Sequence, residues 1–306
     1  MKKNLLRVNS FLSTGMIMFC LFFSASSFSQ TSDLARIEYT FVPQTNSKNS
    51  VNRFRGFVNY PIKLGTNGSY IIPGIEYRDV DLDIKDPVPF DRAELGKFQL
   101  FRVSLAYTFK VKNDWRLAFK TGAELASNFE ENSIKNRDIN FTGSAFLIRD
   151  RKGDEVKKPS RFIIGLNYST NAGRPFPLPV VNYYRKFHSD WSYSLGSPKT
   201  NLKYFWDKKN TVQAFITLDG FFSNIQNGRN VVQEDGSSTL AENISMTMVL
   251  GGLGYEYGFT KHLLFYAYGG YTFYNEIRLR DQYDNNLYKL NDKNTFYLRA
   301  GVKFKI

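Results

Sequence analysis

The feature that most constrains this chain is an apolar–polar alternation of period two that recurs from residue 34 onward. In "LFRVSLAYTFKV", Phe101, Val103, Leu105, Tyr107, Phe109 and Val111 take every second position. "WRLAFKTGAEL", "RFIIGLNYS" and "LLFYAYGGYTF" repeat the pattern, and the opposite positions carry Arg102, Ser104, Thr108, Arg116, Lys120, Glu124, Arg161 and Asn167. Such alternation is the mark of strands with two different faces. No segment shows a helical period, and no apolar run reaches the ~20 residues of a transmembrane helix. The chain is predicted to be all-β. Its segments run to about 9–11 residues, the length a tilted strand needs to cross a bilayer.

The connections fall into two classes. Short polar turns occur at "KND" (112–114), "HSD" (188–190), "DKKN" (207–210) and "GFTKH" (258–262), and longer polar stretches at 43–50, 79–96, 127–138, 170–178, 223–241 and 276–293. With about fourteen strands the two classes alternate, as in an up-and-down barrel with short turns at one end and long loops at the other. The connections at 149–160 and 196–200 break the rule, and without the weak pair near residues 193 and 203 the count falls to about twelve. Trp115, Trp191 and Trp206 all fall beside short turns, where an interfacial aromatic belt belongs. A barrel of this size is too wide to fill with apolar side chains, so its apolar face is predicted to point outwards, into a membrane.

The ends of the chain supply further expectations. Lys2, Lys3 and Arg7 precede an apolar stretch from Phe11 to Phe23 and then "SASSFSQ", with Ser27 and Ser29 as small cleavage-site residues. Residues 1–29 read as a cleaved signal for Sec export and 30–306 as one barrel domain. Cleavage removes three basic residues, lowering the formal charge from +13 to +10, and the only cysteine, Cys20. The mature chain then has neither disulfides nor cysteine metal sites, and export argues against a nucleic-acid partner despite the basic charge. Gln30 to Asp33 leave no room for an N-terminal plug. At the other end, "NTFYLRAGVKFKI" sets Phe296, Leu298, Ala300, Val302, Phe304 and Ile306 on one face. A strand needed to its last residue is expected to close the barrel against the first strand, near Ala35 to Phe41.

The "SQ" that ends the signal, "SLGSPKTNLKYFW", "LDGFFSN" and the terminal "FYLRAGVKFKI" resemble the uncharacterised outer-membrane β-barrel proteins of about 300 residues found in Bacteroidota. The resemblance implies an outer-membrane location, lipid and lipopolysaccharide as surroundings, and insertion by the barrel-assembly machinery. Members commonly end in an aromatic residue that this machinery reads; here Phe304 precedes a final Ile306.

No catalytic constellation is apparent. The two histidines, His188 and His262, both fall in short turns, and no enzyme activity or cofactor is expected. Asp79, Asp81 and Asp83 could offer oxygen ligands to a hard cation such as Ca²⁺, but they alternate with Val80 and Leu82 and lack a calcium-loop glycine. The face opposite the apolar one is rich in cations, among them Arg53, Arg55, Arg102, Arg116, Lys120, Arg161, Arg299 and Lys303. Glu38, Glu76, Glu124, Asp219 and Glu256 are the matching acids. Basic rings in an open lumen favour anions, which suggests a passive channel for small anionic solutes through a monomeric barrel. The same residues could instead pair into a ladder that fills the lumen of a structural or surface-interaction barrel. The sequence leaves both readings open.

Overall fold

A computed structural model describes residues 33–305 except 113, 153–155, 174 and 233–235. The signal segment, Cys20 and Ile306 therefore lie outside the described residues. In chain order the strands are β1 (Asp33–Pro43), β2 (Ser50–Asn59), β3 (Ile62–Leu64), β4 (Ser69–Asp83), β5 (Lys97–Lys112), β6 (Trp115–Ser127), β7 (Ile139–Arg151) and β8 (Ser160–Ser169). They continue with β9 (Phe176–Lys186), β10 (Trp191–Gly196), β11 (Lys199–Phe205), β12 (Asn210–Val232), β13 (Ser238–Gly258), β14 (Leu263–Arg280), β15 (Asn286–Asn291) and β16 (Phe296–Lys305).

Each wall strand pairs antiparallel with its neighbours, and β1 meets β16 to close the ring, from Ala35 opposite Phe304 to Phe41 opposite Leu298. β2 and β3 share one register against β4, interrupted at Tyr60 and Pro61, and so count as one strand. β15 pairs only with the outer part of β14. The wall is thus a closed barrel of 14 strands. β10 and β11, the pair left weak by the sequence, are both present. They are short, at 6 and 7 residues.

The alternation sorts the two faces. Ile37, Phe141, Leu253, Phe296 and Leu298 stand exposed on the outside, whereas Glu38, Arg53, Arg102 and Tyr297 are buried within. For a closed ring this wide, an apolar outer band is the arrangement a membrane-facing wall requires. Trp115, Trp191 and Trp206 sit at the short-turn end, where Trp206 is 70% exposed. One short connection there, residues 65–68, closes with Gly65 and Gly68 at φ +59° and +68°, values that favour glycine.

The long-loop end departs from the sequence expectation. Residues 223–241 and 276–293 read as polar loops, yet β12 and β13 run for 23 and 21 residues and β14 extends to Arg280. Their outer parts are amphipathic and stay paired, through a register shift between Asn224 and Arg229, so polar composition alone misjudges them. β12 leaves the wall after Leu218, whose N–H donates to Pro198 O at 3.0 Å. It then crosses inward until Asn224 meets Ser127 of β6, with the five strands β7 to β11 between them along the wall. Phe221, Ile225 and Val231 come to rest on Val42, Val51, Val80, Leu82, Leu95 and Phe98, all buried.

Candidate functional site: the barrel interior

The inward face of each strand is layered rather than uniform. From the long-loop end, β2 presents Val51, Arg53, Arg55, Phe57 and Asn59; β4 presents Leu82, Val80, Arg78 and Glu76; β5 presents Phe98, Leu100, Arg102 and Ser104. An apolar layer therefore lies above an ionic belt, and a more polar layer lies below it.

The belt is held by four carboxylates. Asp219, at the bend of β12, accepts from Arg53 Nη1 at 3.0 Å and Nη2 at 2.7 Å, from Tyr297 Oη at 3.0 Å, and from Arg299. Glu38 accepts from Arg36 at 3.3 Å, from Arg55 at 3.4 Å and from the Tyr266 hydroxyl. Glu76 takes Arg55 Nε at 2.9 Å, Arg102 Nη1 at 3.2 Å and Arg78. Glu124 takes Arg102 Nε at 2.7 Å. Arg102 also reaches Thr170 Oγ1 at 3.4 Å, and both Arg78 and Arg102 reach Asn171, in the 3-10 turn Thr170–Ala172 that dips inward between β8 and β9. Charges this deep persist only when paired and hydrogen-bonded. A second cluster gathers Lys203 at 2.9 Å, Lys303 at 3.0 Å, Gln213 at 3.0 Å and Tyr268 Oη at 2.7 Å on Glu256.

The structure thus brings together Arg53, Arg55, Arg102 and Arg299, and sets Lys303 in the neighbouring cluster. Arg116 lies nearer the short-turn end, donating to Gly68 O at 2.6 Å, and Arg161 pairs with Asp150 at 2.9 Å. Lys120 has no ion pair or hydrogen bond among the described residues. Tyr266, Tyr268 and Tyr297 escaped the sequence reading, although their phase opposite Phe265, Ala267 and Phe296 marks them as inward. Thr170 and Asn171 gave no signal, because they sit in a loop.

Asp79, Asp81 and Asp83 do not converge. Tyr77 Oη reaches Asp79 at 3.0 Å, Lys97 pairs with Asp79 at 3.2 Å, and Asp83 pairs with Lys85 at 2.6 Å. Among the described residues no group of three or more His, Cys, Asp and Glu side chains is placed to hold a metal. His188 Nδ1 faces both Ser189 Oγ at 3.3 Å and Asp190 at 3.7 Å. One nitrogen cannot both take a proton from the serine and be oriented by the acid, so this exposed trio is not a relay.

Residues 93–305, most of the barrel, match the family described as "Domain of unknown function (DUF6268)". The chain belongs to the DUF6268 family. No curated protein matches it significantly. Among solved structures, this DUF6268 chain is similar to LpxR from Salmonella typhimurium at 8% identity, covering 89% of this chain and 100% of that one with a TM-score of 0.36. A NanC porin shares 10% identity over 88% of this chain and 100% of its own, with a TM-score of 0.34. The Pseudomonas putida toluene transporter TodX shares 8% over 89% of each chain, with a TM-score of 0.34.

Proposed function

We propose that this chain is an outer-membrane barrel whose interior is shut to solute flow, a structural or surface-interaction protein that presents its long loops outward. On this reading residues 1–29 are removed during Sec export, the short turns face the periplasm, and the tryptophans mark the inner interface. Lipid and lipopolysaccharide surround a monomer inserted by the barrel-assembly machinery.

One observation carries the closed reading. The β12–β13 hairpin crosses the interior and packs Phe221 and Ile225 onto the opposite wall, directly above the bridge from Asp219 to Arg53 and Arg299. A water-filled channel needs a continuous polar path, and the apolar layer interrupts it. A gated, anion-preferring channel is the second reading. It is favoured by the belt's composition, in which Arg36, Arg53, Arg55, Arg78, Arg102 and Arg299 outnumber Glu38, Glu76, Glu124 and Asp219 by two. Liposome swelling with small neutral and anionic solutes tests the proposal. Closed barrels leave the swelling rate at that of empty liposomes, and solute-dependent swelling would favour the channel.

A further inference from the structure

We propose that the space between β2, β4, β5 and β6 is a binding site for a small oxyanion, a phosphate or carboxylate group, entering from the short-turn end. A cavity of about 140 Å³ lies there, lined by Arg55, Asn59, Glu76, Arg102, Ser104 and Lys120 among others. A water's share of liquid volume is about 30 Å³, so the space holds an oxyanion group with a short stem.

The donors around it are only partly spent. A guanidinium carries five N–H donors and an ammonium three. Arg55 commits Nε and one hydrogen each of Nη1 and Nη2 to Glu76 and Glu38, which leaves two. Arg102 commits Nε, one hydrogen of Nη1 and both of Nη2 to Glu76, Glu124, Thr170 and Asn171, which leaves one. All three of Lys120 are unspent among the described residues. The Ser104 hydroxyl has only a long contact, 3.4 Å to Gly74 O, and the Asn59 amide also faces the space.

The charge balance agrees. Glu76 is the one acid lining the cavity, and it already serves Arg55, Arg78 and Arg102. Lys120 stands opposite it as an unpaired cation, exposed to water inside the barrel rather than sealed in. Fixed cations in a low-dielectric wall concentrate anions. Several directional N–H donors arranged with a hydroxyl and an amide suit the separate oxygens of a phosphate or carboxylate, through charge-assisted hydrogen bonds. Asn59 and Phe57 stand at the short-turn side of this space, while the apolar layer blocks the other, so the proposal rests on the closed reading only for its direction of entry.

The test is calorimetric titration of the folded, detergent-solubilised barrel with inorganic phosphate and, separately, with succinate, at low and moderate salt. At least one of them saturates a single site, and the better one identifies the preferred group. Lys120→Met weakens it at least tenfold, whereas Lys120→Arg retains most of it. Ser104→Leu fills the cavity without touching a charge and gives a comparable loss. Lys97→Met, on the far side of the wall, changes nothing. No saturable binding of either anion, or equal affinity in wild type and Lys120→Met, overturns the site and leaves the closed barrel standing. Solute flux through the barrel overturns the closed reading and leaves the site standing.

Discussion

Arg53 and Asp219 meet across the interior, from strands separated along the wall by β1, β16, β14 and β13, with Nη2 2.7 Å from Oδ2. The contact fastens the bend of β12 to the opposite wall, and Arg299 and Tyr297 fasten the same carboxylate. Asp219→Asn strands the buried Arg53 guanidinium, leaves Arg299 only its 3.8 Å pair with Glu38, and is expected to cost about 3–5 kcal/mol, the usual cost of breaking a buried pair. Arg53→Met leaves the carboxylate with Arg299, Tyr297 and the Gly220 N–H and is expected to cost less. Urea unfolding of the barrel in lipid vesicles measures both. Equal losses, or a larger loss for Arg53→Met, contradict the shared-acceptor arrangement.

The wall is lowest beside the β10–β11 hairpin. Ser197 N–H donates to Val181 O at 3.0 Å, which fixes the β10 side of β9. Residues 177 and 179 turn their backbone to that same side, beyond the end of β10, and both are proline. Proline has no N–H to leave unpaired, and a bare donor in hydrocarbon is costly. Pro179→Ala adds such a donor and is expected to lower stability by about 1–3 kcal/mol. The same vesicle unfolding checks it, and a neutral or stabilising result contradicts a lipid-facing free edge.

The first and second long loops are tied together by Asp86. Its carboxylate accepts from Ser47 Oγ at 2.6 Å and from the Lys48 N–H at 3.2 Å. The Ser47 hydrogen bond, and then the Lys48 N–H, hold its pKa below the usual aspartate range. A depressed carboxylate pKa stabilises above the unfolded value, about 3.9, and the contribution is lost as pH falls through the folded value. The Lys48 amide is therefore expected to keep its hydrogen-exchange protection at pH 5 and to lose it only below about pH 4. In Asp86→Asn, protection no longer changes over that range. Loss of protection between pH 7 and 5 in the wild type contradicts the assignment.

How far the fold was legible follows from the range of the forces involved. Alternation is local, so the wall, its two faces and the short-turn tryptophans can be read residue by residue, as at Phe101 to Val111 or at Trp115. The filling of the interior is not local. Arg53 and Asp219 are 166 residues apart, and Ser127 and Asn224 are 97 apart, and no period in the sequence records either meeting. The cations are visible as a basic row, but their division into spent donors and the unspent Lys120 depends on carboxylates delivered by other strands. The polar outer halves of β12 and β13 look like a loop because Asn224, Gln226 and Asp138 satisfy one another only after folding, at 2.7 Å for each amide on the carboxylate.

The central claim is that the crossing hairpin shuts the interior, and single-channel recording in planar bilayers tests it most directly. Gly220 already lies opposite Thr247, so residues 221–246 can be replaced by a two-residue turn without changing the register of the remaining hairpin. The intact chain is predicted to give no conductance steps in 1 M KCl (about 3 Å Debye length, where surface charge is screened). The shortened chain is predicted to give steady steps. Steps from the intact chain, equal in size to those of the shortened one, would contradict the account.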